Sequence, residues 1–130
     1  MKPRQFEIRW GSVLVSAALI EATMIALWIP VRQYGQNVVT TAVVIGSFLL
    51  PLLCALWVSA RAQARYVLHG VLIGAVAILI YLTMAEAGRR FGPPQGPHPF
   101  AYTVAHGLKP LGGALGGAIA SRRVRVKNIA

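Results

Sequence analysis

The chain has 130 residues, of which 56% are hydrophobic and 12% charged. Water-soluble domains carry about 25% charged residues, so most of this chain is not built to face water. Thirteen Lys+Arg against three Asp+Glu give a formal net charge of +10. The cations fall between long apolar runs, which reads as a membrane-orientation signal rather than a nucleic-acid footprint. The length suits one unit spanning residues 1–130.

A bilayer core of about 30 Å takes roughly 20 helical residues, and four segments are long enough to cross it. The first is WGSVLVSAALIEATMIALWIP, residues 10–30. It is longer than the roughly 7–15-residue core of a cleavable signal and contains Glu21, so it is expected to be retained. The second is VVTTAVVIGSFLLPLLCALWVS, residues 38–59, with Pro51 expected to kink it. Cys54, the single cysteine, lies in this run and reads as a packing residue. The third is YVLHGVLIGAVAILIYLTMAEAG, residues 66–88. A connection rich in proline (Pro93, Pro94, Pro97, Pro99) then leads to the fourth segment, residues 100–121, where glycine and alanine largely replace leucine. Helix is the expected state for all four, because backbone in lipid must satisfy its own hydrogen bonds. The expected fold is all-α, an integral membrane four-helix bundle with short connections.

Charge placement sets the expected orientation. Lys2, Arg4, Arg9, Arg61, Arg65, Arg122, Arg123, Arg125 and Lys127 fall on one side, and Arg32, Arg89 and Arg90 on the other. The positive-inside rule then places both termini in the cytoplasm. Trp10, Trp28, Trp57 and Tyr66 sit at helix ends, the depth that amphipathic rings prefer.

Two ionisable residues lie deep inside apolar segments, where each costs about 2.5–3.5 kcal/mol on insertion scales. Glu21 is about 16 Å from the Trp10 end of its helix, and Lys109 about 18 Å from the Ser121 end of the fourth. An intramembrane Glu21–Lys109 pair is therefore expected, within one chain or between chains. The alternatives are a protonated, hydrogen-bonded Glu21 and a Lys109 that snorkels outward along its own stem. The helical wheel puts Tyr102, Ala105, His106, Lys109, Gly112, Gly113, Gly116 and Ala120 on one face. Val104, Leu108, Leu111, Leu115 and Ile119 lie on the other. Small residues favour close helix packing, so Lys109 is expected to point into protein. Gly112, Gly113, Gly116 and Gly117 form a glycine zipper, and Gly70 and Gly74 add a second G-x-x-x-G on the third segment.

GGALGG is not a phosphate loop, since Lys109 precedes the glycines and no strand leads into them. Pro110 opens another layout, in which the fourth helix starts near Lys109 and the segment is re-entrant or broken. Of the histidines, His69 and His106 are expected toward opposite sides of the bilayer, which argues against a bis-histidine haem. No metal-ligand spacing is present, and His98 sits in the proline-rich connection. His106 and Glu86 form a possible outer-rim pair. No nucleophile, base and orienting group come together, so neither catalysis nor a cofactor is expected. The tail SRRVRVK reads as a topology signal that contacts anionic lipid, with about 1 kcal/mol per cation near the surface. No nucleic-acid partner is implied.

The stretches RYVLHGVLIGAVAILIYL and LKPLGGALGGAIA resemble a family of small bacterial four-helix membrane proteins with no assigned activity. In that family a basic loop leads into a His-Gly-x-x-x-Gly helix, and the last helix is glycine-rich. The resemblance covers mainly the third and fourth segments and implies a topology in the bacterial inner membrane. In architecture the chain also resembles the small multidrug resistance transporters. That resemblance implies that Glu21 exchanges protons for a cationic substrate. The chain departs from those transporters in three ways: it has no matching aromatic motif on the third helix, its charge bias is strong, and Lys109 would neutralise Glu21. The expected function is thus a small multi-pass membrane protein without catalysis, self-associating as a homo-oligomer or serving as an accessory subunit of a larger membrane complex. Proton-coupled cation transport through Glu21 is the alternative.

Overall fold

The computed structural model describes residues 7–59, 61, 65–90 and 99–129, which form four α-helices with no strand among them. Lys2, Arg4, Pro93, Pro94, Pro97 and His98 lie outside the described residues. The helices are α1 (Trp10–Val31), α2 (Gln36–Ser59), α3 (Tyr66–Arg89) and α4 (Pro99–Ile129). A short 3-10 turn, Arg32–Tyr34, and Gly35 at φ 93° join α1 to α2. That positive φ is a backbone region in which glycine carries no Cβ penalty.

Three stretches are long and apolar enough to cross a membrane: Trp10–Tyr34, Gln36–Ser59 and Tyr66–Arg89. More of their large apolar side chains are exposed than buried. Leu14, Leu19, Ile45, Leu53, Leu79 and Leu82 are all more than half exposed. The fourth helix does not reach the same apolarity. Glycine and alanine stand where leucine would, and Lys109 interrupts them.

The helix ends differ most from expectation in α4. It runs 31 residues, about 46 Å at 1.5 Å per residue, and continues through the basic tail to Ile129. Arginine, lysine and valine contain no helix breaker, so nothing in SRRVRVK stops the helix. Nor is the helix broken at Pro110, which lies in its interior. A proline there removes only the donor that would reach the His106 carbonyl. Gly74 lets α3 approach α4 closely at this point: a Cβ added there would run into the backbone of Lys109 and Pro110. Pro51 likewise lies inside α2, which is continuous through it.

The four helices run up, down, up, down. Arg9, at the start of α1, meets Arg61 after α2 and His69 near the start of α3, so these three ends coincide. Neighbours in the bundle are α1 with α2 and α3, and α4 with α2 and α3. Because α2 and α3 also touch each other, α1 and α4 occupy opposite corners, and no Cα of one comes within 8 Å of the other. An apolar core of Val13, Ala17, Ile20, Ala55, Val58, Ile73 and Ala77 fills the space among α1, α2 and α3.

On α4 the work of packing falls to two adjacent glycine rows, one for each neighbour. A Cβ at Gly112 or Gly116 would strike the carbonyl oxygens of Phe48 and Leu52 on α2. The same atom at Gly113 or Gly117 would strike those of Gly70 and Tyr66 on α3. The doubled glycines of GGALGG thus form the two flanks of a wedge between α2 and α3. The order of the contacts gives the register: α4 runs parallel to α2 and antiparallel to α3.

This geometry sorts the glycines of α4 by what a methyl group would do. Gly113→Ala is expected to cost about 1–3 kcal/mol through overpacking against backbone. Gly107 has nothing within 4 Å of an added Cβ, and Gly107→Ala is expected to stabilise the helix by up to about 1 kcal/mol. Thermal unfolding in detergent micelles should show opposite shifts for the two variants.

A buried charge pair as the candidate functional site

Lys109 owes its position to the wedge. It lies one helical turn before Gly112 and Gly113, so it projects from the leading edge between the two flanks. From there the four-carbon stem passes between α2 and α3 toward the opposite corner of the bundle. On α1, Glu21 continues the inward-facing row of Val13, Ala17 and Ile20. Lys109 Nζ donates to Glu21 Oε1 at 2.5 Å. Both residues are nearly sealed, with Glu21 3% and Lys109 2% exposed. The structure therefore joins within one chain two residues 88 positions apart, on helices whose backbones do not approach each other.

Tyr81 of α3 covers the cation from a second direction, its ring centroid 5.3 Å from Lys109 Nζ. At that distance the negative face of the ring attracts the ammonium. The Tyr81 ring in turn packs at a tilt against His106, centroids 4.4 Å apart, and against Tyr102 at 5.8 Å. An aromatic group of Tyr81, Tyr102 and His106 thus closes the pair on the Pro99 side of α4. The opposite side holds the apolar core.

A low-dielectric interior repays the desolvation of two ions only where geometry is good. The ammonium meets both the carboxylate and the aromatic face, which offsets part of that cost. Chemically, the pair holds two helices in one relative position. Of the three acidic residues only Glu21 lies in mid-helix, since Glu7 precedes α1 and Glu86 is in the last turn of α3. While engaged, its Oε1 is occupied by the chain's own cation.

The remaining residues expected at sites are placed as follows. Gly70, Gly74, Gly112, Gly113, Gly116 and Gly117 are all buried at the α4 contacts described above. Glu86 and His106 are not brought together. Glu86 is exposed and bridges Arg89 at 3.1 Å, one turn along the same helix. Neither buried ring nitrogen of His106 has a hydrogen-bond partner. The separation has a simple origin: His106 turns inward onto Tyr81, whereas Glu86 faces out of the bundle. Among the described residues no three His, Cys, Asp or Glu side chains are grouped to hold a metal ion.

One contact had no sequence signal. His69, 1% exposed, accepts a hydrogen bond at Nε2 from the backbone N–H of Arg9, 3.1 Å away. Its Nδ1 lies 2.9 Å from the Arg65 carbonyl, four residues back on its own chain. Accepting at Nε2 requires the proton on Nδ1, so the ring is the neutral Nδ1–H tautomer and donates to Arg65. The beginning of α1 is thereby tied to the beginning of α3. The second half of that tie follows helical spacing, but nothing in the sequence pairs position 9 with position 69. Two further buried hydroxyls, Ser16 Oγ on α1 and Ser47 Oγ on α2, have no partner.

Removing one partner of the pair strands the other in an apolar interior. Glu21→Gln and Lys109→Met are each expected to lower stability by about 3 kcal/mol. The reversed pair, Glu21→Lys with Lys109→Glu, is expected to recover at least half of that loss. Denaturant titration in micelles measures all three, and a double reversal no better than the single changes would remove the pair as an organising contact. Comparisons with protein-family models, with curated proteins and with solved structures gave no match for this chain.

Proposed function

We propose that this chain is a four-span integral protein of the bacterial inner membrane, with both termini cytoplasmic, that carries out no catalysis. In this reading it acts by packing, either with copies of itself or as an accessory subunit of a larger membrane complex. Glu21 carries the proposal. The one carboxylate at membrane depth is held by Lys109 of the same chain, which favours a fixed internal strut over a site open to a substrate.

The ends of the helices support the orientation. Arg9, Arg61 and Arg65 gather where α1 begins and α3 begins, and Arg61 lies over the Trp57 ring at 4.2 Å. At the other end Arg32 lies over Trp28 at 5.3 Å. Arginine on tryptophan is suited to the headgroup layer, where an apolar ring and a solvated cation are both accommodated. The outward leucines and isoleucines of α1, α2 and α3 supply the lipid-facing belt. Lipid is thus the first partner, with anionic headgroups at Arg122, Arg123, Arg125 and Lys127, all exposed on the final turns of α4.

The runner-up, proton-coupled exchange of a cation at Glu21, needs Lys109 to leave the carboxylate during the cycle. Proteoliposomes distinguish the two. The accessory reading predicts no acidification-driven uptake of a lipophilic cation by the wild-type chain, and none by Glu21→Gln. It also predicts a stable partner or homo-oligomer when the native complex is extracted gently and weighed by mass spectrometry. Flux in the wild type that is lost in Glu21→Gln would replace it with the transporter.

A further inference from the structure

Three properties of α4 set it apart from the other helices. It lacks an apolar stretch of the kind that α1, α2 and α3 each contain. Its buried face consists of glycines fitted to the carbonyls of Phe48, Leu52, Tyr66 and Gly70, a surface that exists only once α2 and α3 lie side by side. Its buried cation has its partner on α1, the corner that α4's own backbone never approaches. Each property makes α4 dependent on an assembly that the other three helices make among themselves.

We propose that α4 is a conditional span: α1, α2 and α3 assemble first, and α4 seats in the α2/α3 groove only when Lys109 finds Glu21 at its base. This rests on the membrane reading given above. The energetic argument is direct. A lone lysine at mid-membrane opposes insertion by about 2.5–3.5 kcal/mol, and glycine and alanine supply little to offset it. Close glycine packing favours the seated helix, but only against a groove already formed. Glu21 converts the opposing charge into an attraction, so the same residue that hinders insertion of the isolated helix secures the assembled one. The four cations after Ser121 resist crossing the bilayer, and for that reason a failed seat gives a mixed population rather than full inversion.

The sidedness of the α4 tail reads this out. Val126 is 68% exposed and takes a reporter cysteine in a full-length chain with Cys54→Ser. Arg61→Cys and Tyr34→Cys, exposed at opposite ends of the bundle, calibrate the two sides with a membrane-impermeant maleimide. In the otherwise wild-type chain, Val126→Cys is expected to react from the Arg61 side. Adding Glu21→Leu is expected to raise the fraction reacting from the Tyr34 side at least fivefold. Glu21→Lys with Lys109→Glu is expected to return it to the starting value. A Glu21→Leu chain that accumulates normally with its tail unmoved overturns the proposal. Should the Glu21→Leu chain be degraded, accumulation decides: recovery in the reversed pair upholds the proposal, and a reversed pair as depleted as Glu21→Leu overturns it. The membrane reading has its own failure signature, which is Arg61→Cys and Tyr34→Cys reacting from the same side of the wild-type chain.

Discussion

An ion buried away from water must be answered where it lies, and in this protein the answer crosses the whole bundle. Lys109 and Glu21 sit on diagonal helices, so their contact requires that α2 and α3 part enough to admit a lysine stem yet close around it. That requirement fixes the level of α4 against α1. A slip of one turn, about 5.4 Å, would carry the ammonium out of reach of the carboxylate. Glycine rows alone give a repeating, weakly specified track. The charge pair selects a single register on it, the role for which buried polar contacts are best attested.

The two devices depend on each other. Without the glycines, α4 stands too far off for Lys109 to pass between its neighbours. Without Lys109, the wedge has depth but no stop. Tyr81 joins them, since α3 supplies both a glycine contact for one flank of α4 and the ring that covers the cation. The core is correspondingly small in side-chain volume and rich in alanine, glycine and serine. With so many large apolar side chains turned outward, the contacts between helices rest on backbone proximity and a few satisfied polar groups.

Much of this was legible in the residues. Apolar length marked α1, α2 and α3, and the glycine-rich fourth segment proved helical without matching their apolarity. Depth counted from Trp10 and Ser121 placed Glu21 and Lys109 at one level. The wheel put Lys109 on the glycine face, and Ala105, Gly112, Gly113, Gly116 and Ala120 are indeed buried while Val104, Leu111 and Leu115 are exposed. The division of GGALGG into separate flanks for α2 and α3 was not legible, because adjacent glycines look like one stripe until two partners are present. Pro110 was ambiguous for a related reason. A proline is at home in the first turn of a helix and also tolerable inside one held by its neighbours, as α4 is held against α3 at Gly74. The Glu86–His106 pairing failed because rim position says nothing of direction, and the Tyr81 ring drew His106 inward. The end of α4 was placed too early, since hydrophobicity marks where lipid stops and not where a helix stops.

The contacts that seat α4 also distribute the burden of sequence unequally. On α2 and α3 the surfaces met by the wedge are main-chain carbonyls, at Phe48, Leu52 and Tyr66 among others. Main chain is the same whatever residue supplies it. The tie from Arg9 to His69 likewise uses a backbone N–H, which every residue except proline provides. Positions 48, 52 and 66 are therefore free to drift without disturbing these main-chain contacts, whereas positions 112, 113, 116 and 117 admit almost nothing but glycine. Substitution in this bundle is an asymmetric process: α4 and the two facing glycines of α3, Gly70 and Gly74, carry the exact residues, whereas α2 at Phe48 and Leu52 need only keep its shape.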